Sequence, residues 1–197
     1  MVVVALFVAA GYLLGSISTA VLVSRALGTE DPRAGGSGNP GATNVLRLSG
    51  RMPAALTLAG DVLKGLVPVL AARTAELPPG EIALVGLAAF LGHVYPVFFA
   101  FKGGKGVATA LGALLGVEPL LAAAVLATWL VAVGITRYSS LAALAASVLA
   151  PAYAFALSGD SRVVGAVAVM TVLLVWRHRG NIRRLLAGEE GRIGRAK

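Results

Sequence analysis

The stretch from Val107 to Thr136, VATALGALLGVEPLLAAAVLATWLVAVGIT, carries a single charge, Glu118, and a single proline, Pro119. A helix needs roughly 20 apolar residues to cross a ~30 Å hydrocarbon core. Pro119–Thr136 comes close to that length. Val107–Val117, at ~1.5 Å per residue, reaches only ~16 Å, about half a bilayer. The longer piece marks a membrane protein, and the shorter one decides the parity of the chain, hence which loops share a side.

Working outward, the whole composition agrees with a membrane setting. Of 197 residues, 57% are hydrophobic and 13% charged, against about 25% charged in soluble proteins. Mean hydropathy is +0.84. A soluble chain of this size cannot bury so much apolar surface. That excludes a soluble globular protein and a disordered chain. The absence of cysteine excludes a disulfide scaffold, thiol catalysis and thiolate metal sites. The net charge of +8 does not indicate nucleic acid, because the basic residues lie between apolar runs and in the tail. Met1–Leu14 has no basic leader region and its apolar run continues to Val23, so it reads as a span and not as a signal peptide.

Apolar runs between breakers fall at Val2–Ser24, Pro53–Ala72, Ile82–Phe101, Val107–Val117, Pro119–Thr136, Ser139–Leu157 and Val163–Trp176. The expected fold is all-α, a polytopic integral membrane protein of about seven transmembrane helices, forming one membrane-embedded domain over 1–197. With seven crossings and the N-terminus outside, one face collects Arg25, Arg33, Arg47, Arg51, Lys102, Lys105, Arg137 and the basic residues from Arg177 to Lys197. The other face keeps Arg73 and Arg162, and Lys64 lies within a span. By the positive-inside rule the richer face, with the C-terminus, is cytoplasmic. Were Val107–Val117 not to cross, the basic tail would lie outside. Gly60, Gly65, Gly86, Gly92, Gly112, Gly116 and Gly134 are expected to let helices approach closely.

Three polar segments share the basic face. In Asp31–Arg47, glycines, prolines and asparagines form a tight loop whose exposed N–H groups suit an anion. Gly41 opens a short helix, with Thr43 or Asn44 as N-cap and Gly50 as terminator. Thr43 and Arg47, at i and i+4, face the same way, so a phosphate at that N-terminus would meet N–H dipoles, a hydroxyl and a guanidinium. The alternative reading of the segment is a plain linker. Gly36-x-Gly38-x-x-Gly41 has dinucleotide-fingerprint spacing, but no strand precedes it. In the second segment, Lys102-Gly-Gly-Lys105 places two cations beside glycines that let an anion reach the backbone. Alternatively, these are snorkelling anchors. In the third, Arg177–Arg184, His178 and Asn181 stand at i and i+3. The segment reads either as part of a polar site or as a basic tail on anionic headgroups.

Asp61 and Lys64 fall inside the second span, where each charge costs roughly 2.5–3.5 kcal/mol. Their i, i+3 spacing favours a structural ion pair. Counted from Pro53 and Phe101, Asp61 and His93 are equally deep, ~12 Å, so they can meet. No carboxylate cluster surrounds either histidine, and neither a metal nor a cofactor is expected.

Gly15-Ser-Ile-Ser-Thr19, the run from Gly36 to Arg47, Gly92-His-x-Tyr-Pro-Val-Phe98, Lys102-Gly-Gly-Lys-Gly-Val-Ala-Thr109 and His178-x-x-Asn-Ile-x-Arg-Leu-Leu186 together resemble the bacterial acyl-phosphate:glycerol-3-phosphate acyltransferases of the PlsY type. The resemblance runs the length of the chain in order. Ser18 stands where that family usually has proline, which bears on the kink of the first helix, and Tyr95 stands where phenylalanine is common. The resemblance implies a multi-pass enzyme of the bacterial inner membrane with its site facing the cytoplasm. Its substrates would be acyl phosphate and glycerol-3-phosphate, its products lysophosphatidate and phosphate. It implies that Ser37, Arg47, Lys105, His178 and Asn181 hold glycerol-3-phosphate. Gly38, Asn39 and Gly41 would support the acyl phosphate and the oxyanion, with Thr43 and Asn44 contributing to either. Lys102, Gly103 and Gly104 complete the expected binding set, and Ser37, Asn39, Arg47, Lys105 and His93 are the candidates for the chemistry itself.

An acyl phosphate is already activated, so such an enzyme must chiefly position two anions and stabilise developing charge. A His-x4-Asp pair is absent, since Phe98 and Arg183 stand five residues after His93 and His178. A substrate phosphate oxygen can instead accept the hydroxyl proton. The expected partners are these substrates and membrane lipid, without nucleic acid. The rival class is a transporter of phosphorylated metabolites, which requires access from both faces.

Overall fold

The computed structural model describes residues 1–193. Arg195 and Lys197, counted above in the basic tail, lie outside the described residues. The order is α1 (Val2–Gly15), α2 (Thr19–Ala26), α3 (Ala42–Ser49), α4 (Arg51–Thr74), α5 (Pro79–Val94), a 3-10 turn (Val97–Phe99), α6 (Val107–Val117), α7 (Pro119–Thr136), α8 (Ser139–Ser158), α9 (Ser161–Arg177) and α10 (Arg179–Leu186). No strand occurs among the described residues. Each of the seven apolar runs is helical. Four are long and apolar enough to cross a membrane alone, and two bent pairs, α1 with α2 at 43° and α9 with α10 at 55°, bring the number to six. The remaining run, α6, is an apolar helix of 11 residues, shorter than these spans.

The first run is broken at Ser16-Ile17-Ser18 even without a proline there. The break frees the Ile17 carbonyl, and Lys64 Nζ donates to it at 2.8 Å. Lys64 also pairs with Asp61 at 2.8 Å, and the Asp61 carboxylate accepts from the Thr19 hydroxyl, the first residue past the break. The intramembrane ion pair therefore braces a broken helix. Breaking one half leaves the other buried and alone.

Close backbone approaches fix the bundle. A Cβ on Gly65 would sit 2.2 Å from the Thr109 carbonyl oxygen and one on Gly112 would sit 2.0 Å from that of Val62, so α4 and α6 touch through glycine. This places α6 against α4, α5 and α7 in the bundle interior. Gly134 differs from the expectation, because nothing lies within 4 Å of its missing Cβ. The outer face of α7 shows Leu130, Val131 and Ile135, the last 79% exposed, as a lipid-facing helix should. Glu118 caps α7 through the Leu120 N–H at 3.2 Å, and Asp160 caps α9 through those of Arg162 and Val163 at 2.8 and 3.3 Å. Lys105, before α6, and Ser139, after α7, border the same cavity.

Candidate active site

The loop 32–37 is shaped by one side chain. Asn44, 2% exposed, donates Nδ2 to the carbonyls of Pro32 and Gly35 at 2.8 and 3.1 Å. Its Oδ1 accepts the Ser37 N–H at 2.9 Å. Asn44 thus holds the loop and also borders the same cavity. It is not an N-cap. Gly41 occupies that position with no side-chain cap, and Gly50 ends the helix at a positive φ of 86° that favours glycine. The first-turn N–H groups are therefore left without a side-chain partner. Thr43 and Arg47 share the face bordering the cavity, as their spacing requires.

The second segment is clasped from two sides. Gly104 N–H donates to the His93 carbonyl at 3.1 Å, and a Cβ on Gly104 would meet His93 Nε2 at 2.1 Å. Arg177 donates to the carbonyls of Gly103 and Gly104 at 2.7 and 3.1 Å. Gly103 and Gly104 are consequently buried, Lys102 is exposed to the side, and Lys105 is half-buried at the cavity. Burial pushes the Lys105 ammonium down to about 8, and the guanidinium charges of Arg184, Arg47 and Arg177 add to this while the Glu190 carboxylate opposes it.

His178, 2% exposed, has Nδ1 2.8 Å from the Leu174 carbonyl. The neutral ring donates there and keeps Nε2 as an acceptor. Two groups that the sequence reading missed complete this side. Glu190, its side chain 6% exposed, accepts from Asn181 Nδ2 at 2.6 Å, Ser140 Oγ at 2.7 Å and Arg184 Nε at 2.7 Å. Burial raises its carboxyl, but these three donors outweigh that and hold it below the ordinary carboxylate value. The tail carrying Glu190 is strapped down by the Ile193 N–H to the Arg137 carbonyl at 2.8 Å and by Arg192 to the Tyr138 hydroxyl at 3.1 Å. The signals available were an acidic pair, Glu189-Glu190, within a basic tail, and Ser139-Ser140 at the inner end of a span.

These elements enclose one cavity of about 290 Å³. Its head is polar: Ser37, Asn39, Gly41, Thr43, Arg47, Lys105, Ser140, His178 and Asn181 all border it, with Asp61 and His93 at the edge. Its body is apolar, running between α6, α7, α8 and α9 past Leu114, Trp129, Ala146 and Met170. Among the described residues, the side chains of Ser37, Asn39, Thr43, Arg47 and Lys105 make no hydrogen bond to protein. Gly38 and Lys102 do not border the cavity, nor do Gly103 and Gly104. His93, 6% exposed, has Nδ1 3.5 Å from Asp61, too long for a formed hydrogen bond but at the level expected from depth. A cluster of cations around one committed carboxylate, opening on an apolar slot, suits an anionic head on a hydrocarbon tail.

Comparison with known proteins points the same way. Residues 5–188 match the family model for Glycerol-3-phosphate acyltransferase. Relatives of that name include the protein of Thioalkalivibrio sulfidiphilus, 55% identical over 194 residues, covering 98% of this chain and 96% of the relative. Another, from Methylococcus capsulatus, is 57% identical over 183 residues, covering 93% and 92%. The fold superposes on the crystal structure of PlsY (YgiH), an integral membrane glycerol 3-phosphate acyltransferase, in its glycerol 3-phosphate form. The TM-score is 0.92 at 41% identity, covering 97% of this chain and 96% of that one. Its lysophosphatidic acid form gives 0.89 at the same identity, covering 97% and 95%. The chain belongs to the glycerol-3-phosphate acyltransferase family and is an integral membrane protein of the PlsY fold.

Proposed function

We propose that the protein transfers a fatty acyl group from acyl phosphate to the 1-hydroxyl of glycerol-3-phosphate, giving lysophosphatidate and inorganic phosphate. The observation that carries this reading is the cavity that joins a cationic head to an apolar body. Arg47 and Lys105 attract the phosphates, and the neutral His178 ring offers Nε2 to a glycerol hydroxyl. The uncapped N–H groups at the start of α3 suit the oxyanion that develops at the acyl carbonyl. The hydroxyl oxygen bonds to that carbonyl carbon, the C–O bond to phosphate breaks, and the proton leaves with a phosphate oxygen.

Asp61 and His93 brace α2 and the Lys102–Lys105 loop in this scheme, so His93→Ala in folded protein should retain most of its kcat. A loss of ~10³-fold would make His93 the base. The site lies on the face that holds most of the basic residues, which supports a location facing the cytoplasm of a bacterial inner membrane. The test is lysophosphatidate formation by the protein reconstituted in liposomes, with glycerol-3-phosphate flux followed in parallel. Product without flux supports the transferase. Flux without product would make the protein a transporter.

A further inference from the structure

We infer that Ala150 of α8 and Val167 of α9 form the floor of the acyl slot and set the length of chain the enzyme prefers. The inference rests on the acyl transfer proposed above and adds a specificity determinant to it. Both residues border the cavity. Beneath them Leu121, Ala154 and Val163 are fully buried, at 0% exposure. These three do not border the cavity, yet they pack in one cluster with Ala150 and Val167. The slot therefore ends on a solid layer.

Two antiparallel helices measure the same depth. From Ser139 to Ala150 on α8, and from His178 back to Val167 on α9, the rise at ~1.5 Å per residue is ~16 Å. An extended alkyl chain with ~1.5 Å single bonds advances about 1.25 Å per carbon. A tail of about 14 carbons thus spans head to floor, and a longer one must bend or leave between helices. The small side chains of Ala143, Ala146 and Ala150 leave room for it on one face of α8.

The experiment uses the full-length reconstituted protein and a series of saturated acyl phosphates, from decanoyl to octadecanoyl, with glycerol-3-phosphate at saturation. Ala150→Leu adds three carbons to the floor, and each methylene is worth roughly fourfold in binding. The hexadecanoyl-to-dodecanoyl ratio of kcat/KM should therefore fall on the order of tenfold or more, with the KM for glycerol-3-phosphate unchanged. Val167→Ala deepens the slot and should raise the same ratio. Ala150→Val replaces the leucine variant where that one does not fold, with a smaller shift of the same sign. A general packing defect cannot move the ratio in opposite directions. A flat length profile in the wild type, or equal losses at every length in both variants, would overturn the floor and leave the transferase standing. Inactivity of the folded wild type with every donor would overturn the transferase reading itself, and the floor with it.

Discussion

Lys105 gives the sharpest test of the site's electrostatics. Burial brings its ammonium down to about 8, and its role requires the charged form. That charge is present below the shifted value and is lost as pH rises through it. One pH unit below it about nine-tenths of the enzyme is charged at this position, and one unit above about one-tenth. The kcat/KM for glycerol-3-phosphate reports the free enzyme, so it should fall roughly tenfold over that window. Bound phosphate favours the ammonium, and the limb in kcat should therefore lie at higher pH. Lys105→Arg keeps its charge throughout this range and should lose the limb, even at reduced overall rate. Lys105→Met removes a charge-assisted contact worth about 1.5–3 kcal/mol, a loss of roughly 10–150-fold below the limb, and the difference from the wild type should shrink above it as the wild-type lysine loses its own charge. The assay is initial-rate lysophosphatidate formation across pH. An arginine variant that keeps the limb at the wild-type pH would refute the reasoning, because some other group would then be titrating.

Lys64→Met strands a buried carboxylate and the Ile17 carbonyl, so a loss of about 3–5 kcal/mol is expected by chemical or thermal unfolding in detergent. Replacing Asp61 as well should recover part of it. Asn44→Ala removes three hydrogen bonds that shape the loop and should raise the KM for substrate more than it lowers Tm, since the loop is exposed and the bundle is not. Glu190→Ala leaves Asn181, Ser140 and Arg184 without their shared acceptor. It should cost about 1–3 kcal/mol and weaken glycerol-3-phosphate binding, with Glu190→Gln intermediate because it loses the charge and one of the two acceptor oxygens but keeps the other.

The helices were legible because lipid imposes a length and a polarity on every span, and each apolar run became a helix. The break at Ser16–Ser18 was not, because the groups that brace it, Lys64 and Asp61, are distant in sequence. Thr43 and Arg47 were placed correctly by helical periodicity alone. Asn44 was misread as a cap because an asparagine in a glycine-rich loop suits a cap or a clasp equally well, and only the folded loop supplies the carbonyls that select the second. Arg177 and Glu190 were hidden for a related reason: in a basic tail, charge reads as attraction to lipid headgroups until a partner is seen. Lys102 and Lys105 are chemically alike and three apart, and the clasp on Gly103 and Gly104 turns only the second toward the cavity.

The proposed reaction requires acyl phosphate as donor to glycerol-3-phosphate. The most direct measurement gives the purified, reconstituted protein glycerol-3-phosphate with either palmitoyl phosphate or palmitoyl-CoA and follows lysophosphatidate and phosphate together. Product from palmitoyl phosphate alone, with one phosphate released per acyl group transferred, is the predicted result. Product from palmitoyl-CoA alone, or phosphate release without lysophosphatidate, would contradict it.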